Sequence, residues 1–218
     1  MNFKQFIDTL SKKINEMESL EKFDIKYRIY PPSFLEDIKE METEISEEEG
    51  MENFQVWNIF KDFYLVTGGF YIGWRYAEYP EGNPDTDKIT TGATDIPVIY
   101  SIYDPEDEIG QPFKQLYEKY RLFDRISEDS QVFLKFDRAQ QEPKLYYYNR
   151  DYGDKYYLMS IGFVEYMEIL IQVMGLYTWQ EFFIQDSSFI IDNIQRKRFL
   201  LGLETFFPNV NISNFQID

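Results

Sequence analysis

The sequence predicts an α+β protein formed by a single domain over residues 1–218. Its length of 218 residues fits one domain and is short for two. Stretches with helical spacing and stretches with strand alternation both occur, but without the regular strand–helix order of a parallel sheet. Hydrophobic residues make up 44% of the chain and include 20 Phe and 18 Tyr, which is enough to bury a core. We therefore expect an antiparallel or mixed sheet packed against helices, with additional N- and C-terminal helices.

The N-terminal part predicts a helix, a strand and a second helix. Apolar residues at helical spacing indicate a helix that ends near Glu18, and Asn2 stands where an N-cap belongs. The alternation over 23–29 is typical of a half-buried strand, which the two prolines after it end. Ser33 begins a capping box with Glu36 and predicts the start of the second helix.

The middle of the chain predicts a helix, a strand and a long loop. Helical spacing over 54–66 ends at Gly68-Gly69, where glycine permits the left-handed turn that closes a helix. Residues 70–76 then alternate as in a strand. Over 78–97 the apolar residues show neither helical nor strand periodicity, and the stretch contains several prolines and glycines. A long loop is therefore expected there. The alternation over 98–102 predicts one more strand.

The last part predicts three antiparallel strands and then helices. A short helix is expected to end at about Tyr120. The strands are expected at 131–136, 144–148 and 155–158, separated by polar turns that favour hairpins. Ser160 is placed to cap the strongest helical pattern, which runs from Phe163 to Met174 and stops at Gly175. A further helical region covers most of 179–206.

The charge balance separates the function classes. The chain has 39 Asp and Glu against 22 Lys and Arg, which gives a net charge of −17 at pH 7. Phosphate contacts need a basic surface, so direct nucleic-acid binding is not expected. The same charge attracts a basic protein and speeds the encounter with it, although acidity can also serve solubility alone.

The missing residue types narrow the chemistry further. The chain contains no Cys and no His. Disulfides, thiolate nucleophiles and imidazole catalysis are therefore excluded, which leaves an enzyme only carboxylate, Lys, Tyr or carboxylate-bound metal chemistry. Gly68-Gly69 and Gly73 lack the Lys and the spacing of a phosphate-binding loop, so no cofactor is expected. We expect a binding protein without a catalytic site.

The most apolar stretches are too polar for a membrane segment. Charged residues occur throughout the amphipathic pattern of the N-terminal helix, which argues against a signal peptide. The stretch 161–177 contains Glu165 and Glu168, whereas a membrane span needs roughly 20 mostly apolar residues. A cytoplasmic protein without membrane contact is expected.

Candidate partner-binding residues lie in and around the long loop. Trp74 and Tyr76 precede it and are large aromatic residues of the kind that anchor interfaces. The acidic residues that accompany them are Glu78, Asp85, Asp87, Asp104, Glu106, Asp107 and Glu108. Aromatic residues on a strand are also ordinary core residues, and clustered acids are also solvated turns or ligands of Mg²⁺ or Ca²⁺. The EF-hand spacing is missing, so no metal is expected.

A run of tyrosines marks two of the expected strands. Tyr146-Tyr147-Tyr148 and Tyr156-Tyr157 must alternate between the two faces of a sheet. One set is expected in the core, and the other is available to line a concave binding face. The sequence leaves open which set is which, because the strand register decides it.

Two segments joined by hairpin strands carry a family resemblance. They are the helix end Phe63-Tyr64-Leu65-Val66-Thr67-Gly68-Gly69, and Tyr157-Leu158 leading into Phe163-Val164-Glu165-Tyr166-Met167-Glu168-Ile169-Leu170. This order resembles the SUKH superfamily, whose best-known branch is the Smi/Knr-type domain. The resemblance covers about residues 31–179, with 1–30 and 180–218 as additions at the two ends. It implies a single α+β domain that in bacteria most often neutralises a polymorphic toxin, many of which are nucleases.

We therefore hypothesise that the chain is an immunity protein that blocks a cognate, basic toxin domain by occlusion. The sheet face and the loops 78–97 and 104–108 are expected to contact the toxin. One alternative is a scaffold or regulatory protein, which is the role the resemblance implies in eukaryotic members. Another is a carboxylate-dependent hydrolase, which requires two acids converging in one pocket.

Overall fold

The computed structural model describes residues 1–48, 54–77, 89–103, 120–135 and 142–215, and within these ranges the chain has the expected α+β fold. The α-helices are α1 (Phe3–Glu18), α2 (Leu35–Glu48), α3 (Asn58–Tyr64), α4 (Ile99–Tyr103), α5 (Phe163–Val173) and α6 (Asn193–Phe206). The strands are β1 (Phe23–Ile29), β2 (Phe70–Tyr76), β3 (Thr91–Ile96), β4 (Tyr120–Arg125), β5 (Ser130–Lys135), β6 (Lys144–Asn149) and β7 (Tyr157–Gly162). Short 3-10 helices occupy Arg150–Tyr152, Trp179–Phe183 and Ile212–Phe215.

The strands form two antiparallel sheets. The first has the order β1-β2-β3 and the second the order β4-β5-β6-β7. A polar contact joins them, because the Thr94 hydroxyl and the Asp95 amide of β3 donate hydrogen bonds to the carboxylate of Asp124 in β4. One hydrophobic core contains side chains from both sheets and from α1, α3 and α5.

α5 lies at the centre of this core. Its residues are apolar on most sides, and Tyr166 and Met167 are fully buried. Phe163 at its first turn packs against Phe60 of α3 and Phe123 of β4, with ring centroids 4.6 and 5.5 Å apart. The helix therefore joins α3 to the second sheet through aromatic contacts.

Several predicted boundaries are confirmed. α1 ends at Glu18, and the Asn2 side chain accepts a 3.2 Å hydrogen bond from the amide of Gln5. β1 and β2 have the predicted bounds. The chain turns at the end of α5 through Gly175, whose φ is +68° and where an added Cβ would lie 2.7 Å from the carbonyl oxygen of Ala93. Glycine is needed there both for the backbone angle and for the close approach of β3.

The prediction of a structureless loop over 78–97 is wrong in its last part, because β3 lies there. The strand has no apolar alternation in its sequence, yet every second residue is buried. Gly92 is buried because the indole of Trp74 occupies the place of a side chain, so that an added Cβ would lie 2.5 Å from Nε1. Thr94 is buried as well, and its hydroxyl is satisfied there by the hydrogen bond to Asp124.

Two other segments also differ from the prediction. The predicted strand over 98–102 is the helix α4, in which Ile99 and Ile102 are buried one turn apart. β4 was missed, since its first residue was expected to end a helix. A β-bulge between Leu122 and Asp124 turns two consecutive residues towards the core and so breaks the alternation of this strand.

Three helix starts differ as well. α2 begins at Leu35, one residue later than a cap at Ser33 would place it. α3 begins at Asn58, whereas the helical spacing was expected to begin at Phe54; residues 54–57 are not helical. α5 begins at Phe163, and the predicted cap Ser160 lies within β7, because that strand continues past it.

Candidate partner-binding site

The structure places Trp74 in the core. Its side chain is 4% exposed, and its indole Nε1 donates a 2.6 Å hydrogen bond to the carbonyl oxygen of Met174. The rings of Phe23, Phe206 and Phe207 lie 5.6, 5.8 and 5.8 Å from it. This geometry is that of a core side chain, because a partner would reach the indole only after the C-terminal end of α6 had moved away.

Tyr76, the second predicted anchor, is half-buried at the same junction. Its ring lies 5.0 Å from Phe206 and 5.4 Å from Phe23. The acidic residues predicted to accompany it, Glu78, Asp85, Asp87, Asp104, Glu106, Asp107 and Glu108, lie outside the residues that the structure describes. Their part in partner binding stays a prediction.

The second sheet has apolar residues on both faces. One face packs into the core with side chains such as Val132, Leu134 and Leu145. The other carries a separate cluster of five rings, which we name the outer aromatic face: Tyr120, Phe133, Tyr146, Tyr148 and Tyr156. The centroids of contacting rings lie 4.5 to 6.3 Å apart. An antiparallel sheet with one core face commonly has polar residues on the other, so this cluster has the composition of an interface.

The strand register determines which tyrosines belong to this face. Phe133 of β5 is paired with Tyr146 of β6, so their side chains point to the same side. Tyr147 points the opposite way and is buried in the core, whereas Tyr146 and Tyr156 are half-buried on the outer side. The question that the sequence left open is thereby answered for these strands.

On the outer aromatic face, the rings of Phe133 and Tyr148 are buried, and the three half-buried tyrosines, Tyr120, Tyr146 and Tyr156, present ring edges and hydroxyl groups. The rings of Tyr120 and Tyr156 are stacked, with centroids 4.5 Å apart and an interplanar angle of 15°. Burial, together with Tyr146, raises the pKa of Tyr120, and Lys135 opposes this shift. The Tyr120 hydroxyl therefore keeps its proton at neutral pH and is able to donate a hydrogen bond at the edge of an apolar contact.

The core face of the same sheet holds a buried carboxyl group, that of Asp124. Its oxygens accept hydrogen bonds from the Tyr166 hydroxyl at 2.6 Å, the Thr94 hydroxyl at 3.0 Å and the Asp95 amide at 2.8 Å. Burial raises the pKa of Asp124 to about 6, although these three hydrogen bonds lower it. The β-bulge in β4 is what turns this side chain inward.

A second buried carboxyl group, that of Glu181, lies in the 3-10 helix Trp179–Phe183. One of its oxygens accepts hydrogen bonds from the hydroxyls of Tyr147 at 3.2 Å and Tyr152 at 3.0 Å. Its other oxygen has no hydrogen-bond partner within the described ranges. Burial raises the pKa of Glu181, which the two hydrogen bonds oppose. The raised pKa and the unpartnered oxygen both reflect the cost of burying a charge on this side chain.

These two carboxyl groups are the kind that the hydrolase alternative requires. Both side chains are buried among packed residues, so a substrate reaches neither without displacing them. A sequence signal exists for Glu181, which lies among aromatic residues in Trp179-Gln180-Glu181-Phe182-Phe183, whereas Asp124 is followed by Arg125 and has no such signal. Within the part of the chain that the structure describes, no three His, Cys, Asp or Glu residues are grouped so that they could hold a metal ion.

Comparison with known proteins adds no family to this geometry. No family model matches the chain, and no curated protein or solved structure is significantly similar to it. Over the described ranges, no helix has both the length and the apolar character that crossing a membrane requires.

Proposed function

We propose that this protein binds a basic partner protein and blocks it by occlusion, as an immunity protein does with its cognate toxin domain. The observation that carries the proposal is the outer aromatic face. Large aromatic side chains are the residues that most often anchor an interface, and five of them lie on the side of the sheet away from the core. The SUKH superfamily, which the sequence resembles, includes bacterial proteins with this role.

The acidic charge contributes mainly to the rate of association. α2 exposes a row of carboxylates to solvent: Glu36, Asp37, Glu40, Glu44 and Glu47. Together with the net charge of −17, they attract a basic partner over a distance that salt shortens to about 8 Å at physiological ionic strength. We therefore expect association to slow as salt is added, while dissociation depends on the apolar contacts.

Co-expression with the toxin domain encoded beside this gene tests the proposal. The wild-type chain is expected to restore growth. The double variant Tyr146→Ser with Tyr156→Ser is expected to protect at least about tenfold less, because it removes two of the five rings of the outer aromatic face. Growth no better than with an empty vector, when the wild-type chain is present, would contradict the proposal.

The matched control is Tyr27→Ser, which removes an exposed tyrosine from β1 in the first sheet. This variant is expected to protect as the wild-type chain does. Thermal unfolding of each purified chain shows whether a loss of protection reflects lost binding or lost folding. Full protection by the double variant would mean that the partner contacts another surface.

A further inference from the structure

A second surface lies where the 3-10 helix Arg150–Tyr152 meets the segment before α6. Ile190 is 85% exposed, more than any other large hydrophobic side chain in the described ranges, and Ile194 is 66% exposed. Tyr152 is 38% exposed, and its ring lies 5.2 Å from that of Phe189. We name Tyr152, Phe189, Ile190 and Ile194 the apolar end patch. Ile190 follows Phe189 directly in the chain and Ile194 lies four residues further on, and several exposed apolar residues in one short segment are less ordinary than a single one.

The local backbone explains why the two isoleucines face solvent. Between them, Ile191 is buried, and the Asp192 carboxylate accepts hydrogen bonds from the amides of Ile194 and Gln195 at 2.9 and 3.1 Å. This N-cap fixes the first turn of α6 and leaves Ile194 on its outer side. Ile190 lies two residues before Asp192 in the sequence, and Ile194 lies two residues after it.

Acidic side chains lie near Tyr152 of the apolar end patch. Burial and the nearby carboxylates of Glu181, Asp151 and Asp192 raise the pKa of Tyr152. These three acidic groups therefore lie within electrostatic reach of the Tyr152 ring. The Tyr152 hydroxyl also donates a 3.0 Å hydrogen bond to Glu181, which fixes the orientation of the ring.

The basic side chains on either side of Tyr152 in the chain already have acidic partners. Arg150 lies 3.4 Å from the carboxylate of Asp129, and Lys155 pairs with the carboxylate of Asp186. The basic residues 196–198 occur further along α6 and limit the acidic surface to the start of that helix. The charge presented beside Tyr152 is therefore negative.

We infer that the apolar end patch docks a segment of a basic partner protein in which an apolar side chain is flanked by Lys or Arg. The apolar side chain is buried against Ile190 and Ile194, and the flanking cations pair with Asp151 and Asp192. The existence of such a partner rests on the proposed function, whereas the surface is argued from exposure and charge. A second copy of this chain is a poor occupant, because each copy carries a net charge of −17.

Titration of the full chain with a short peptide of alternating Lys and Leu, followed by amide NMR, tests the inference without the natural partner. Saturating shifts are expected at 150–154 and 187–195. The variant I190S/I194S is expected to bind at least about tenfold more weakly, because it loses the apolar contact. Asp151→Asn is expected to weaken binding about two- to fivefold. Added salt is also expected to weaken binding, because it screens the ion pairs.

Two controls decide what the titration means. A peptide of alternating Glu and Leu is expected not to bind. Phe34→Ser removes a side chain that is 70% exposed at the start of α2, and it is expected to leave binding unchanged. Shifts confined to other surfaces, no binding by the Lys-containing peptide, or equal binding by wild type and I190S/I194S would each overturn the inference.

The co-expression experiment separates this inference from the proposed function. If I190S/I194S protects cells as well as the wild-type chain does, the docking surface is wrong and the proposed function stands. If the peptide binds at the apolar end patch but the wild-type chain protects no cells, the proposed function is wrong and the surface stands. Because the two isoleucines are exposed, their replacement leaves the core intact.

Discussion

Two adjacent tyrosines, Tyr146 and Tyr147, point to opposite faces of the second sheet and have different surroundings. Tyr147 is buried on the core face, and its hydroxyl donates a hydrogen bond to Glu181. Tyr146 is half-buried on the outer face, where its ring lies 5.1 Å from that of Tyr120. On the core face each hydroxyl needs a protein acceptor, because water does not reach it. The core face thus contributes to stability, and the outer face is the surface that we propose for partner binding.

Alanine substitutions at these two neighbours test most directly whether the two faces differ in their contribution to stability. Tyr147→Ala is expected to reduce the free energy of unfolding by about 3–5 kcal/mol, since it removes a buried ring and a hydrogen-bond donor. Tyr146→Ala is expected to cost about 1 kcal/mol, which is the size of a lost contact between partly exposed rings. Urea unfolding followed by circular dichroism measures both values. Equal losses would show that the two faces are equally important for stability.

The elements that can be predicted from the sequence are those in which the apolar periodicity of the element itself determines which of its residues are buried. α1 and β2 have clear periodicity, and their bounds are confirmed. β3 could not be predicted, because Gly92 and Thr94 are buried by Trp74 and Asp124, which are distant in the sequence. The pattern of burial in β3 is set by its neighbours and leaves no apolar period in the strand itself.

The candidate site was predictable only in part, for the same reason. The tyrosine run indicated a sheet with two aromatic sides, but the register that assigns Tyr147 to the core depends on pairing with other strands. Trp74 is covered by Phe206 and Phe207. The sequence of β2 does not predict that residues so far along the chain pack against it. The apolar end patch was missed because isolated isoleucines in a sequence do not reveal their exposure.

The pH dependence of stability also distinguishes the two faces, because the fully buried Asp124 belongs to the core face. Burial raises the pKa of Asp124 from 3.8 to about 6, so the folded chain holds this proton more tightly than the unfolded chain does. The resulting stabilisation is complete below about pH 3.8 and is lost as the pH rises through 6. Between about pH 4.5 and pH 7.5 the loss amounts to about 2 kcal/mol.

Unfolding free energies at about pH 4.5 and about pH 7.5 measure this effect. Asp124→Asn is expected to flatten the dependence, and Tyr146→Ala is expected to leave it unchanged. Some dependence remains in Asp124→Asn, because the pKa values of Glu181 and Asp95 are raised in the same direction. Asp186 has the opposite shift, but its contribution is lost only below this pH range. An unchanged slope in Asp124→Asn would remove this residue as the cause.

The smallest expected effect concerns Tyr152, which links the surface to the core face through its hydrogen bond to Glu181. Tyr152→Phe is expected to cost about 0.5–1 kcal/mol, because Glu181 keeps its bond from Tyr147 and the Tyr152 ring is partly exposed. Thermal unfolding measures it against Tyr27→Phe, which removes an exposed hydroxyl and is expected to change nothing. In the Glu181→Gln background the cost is expected to shrink, because the Tyr152 hydroxyl then bonds to a neutral acceptor. An undiminished cost there would show that the Tyr152 hydroxyl stabilises the chain through a group other than the Glu181 carboxylate.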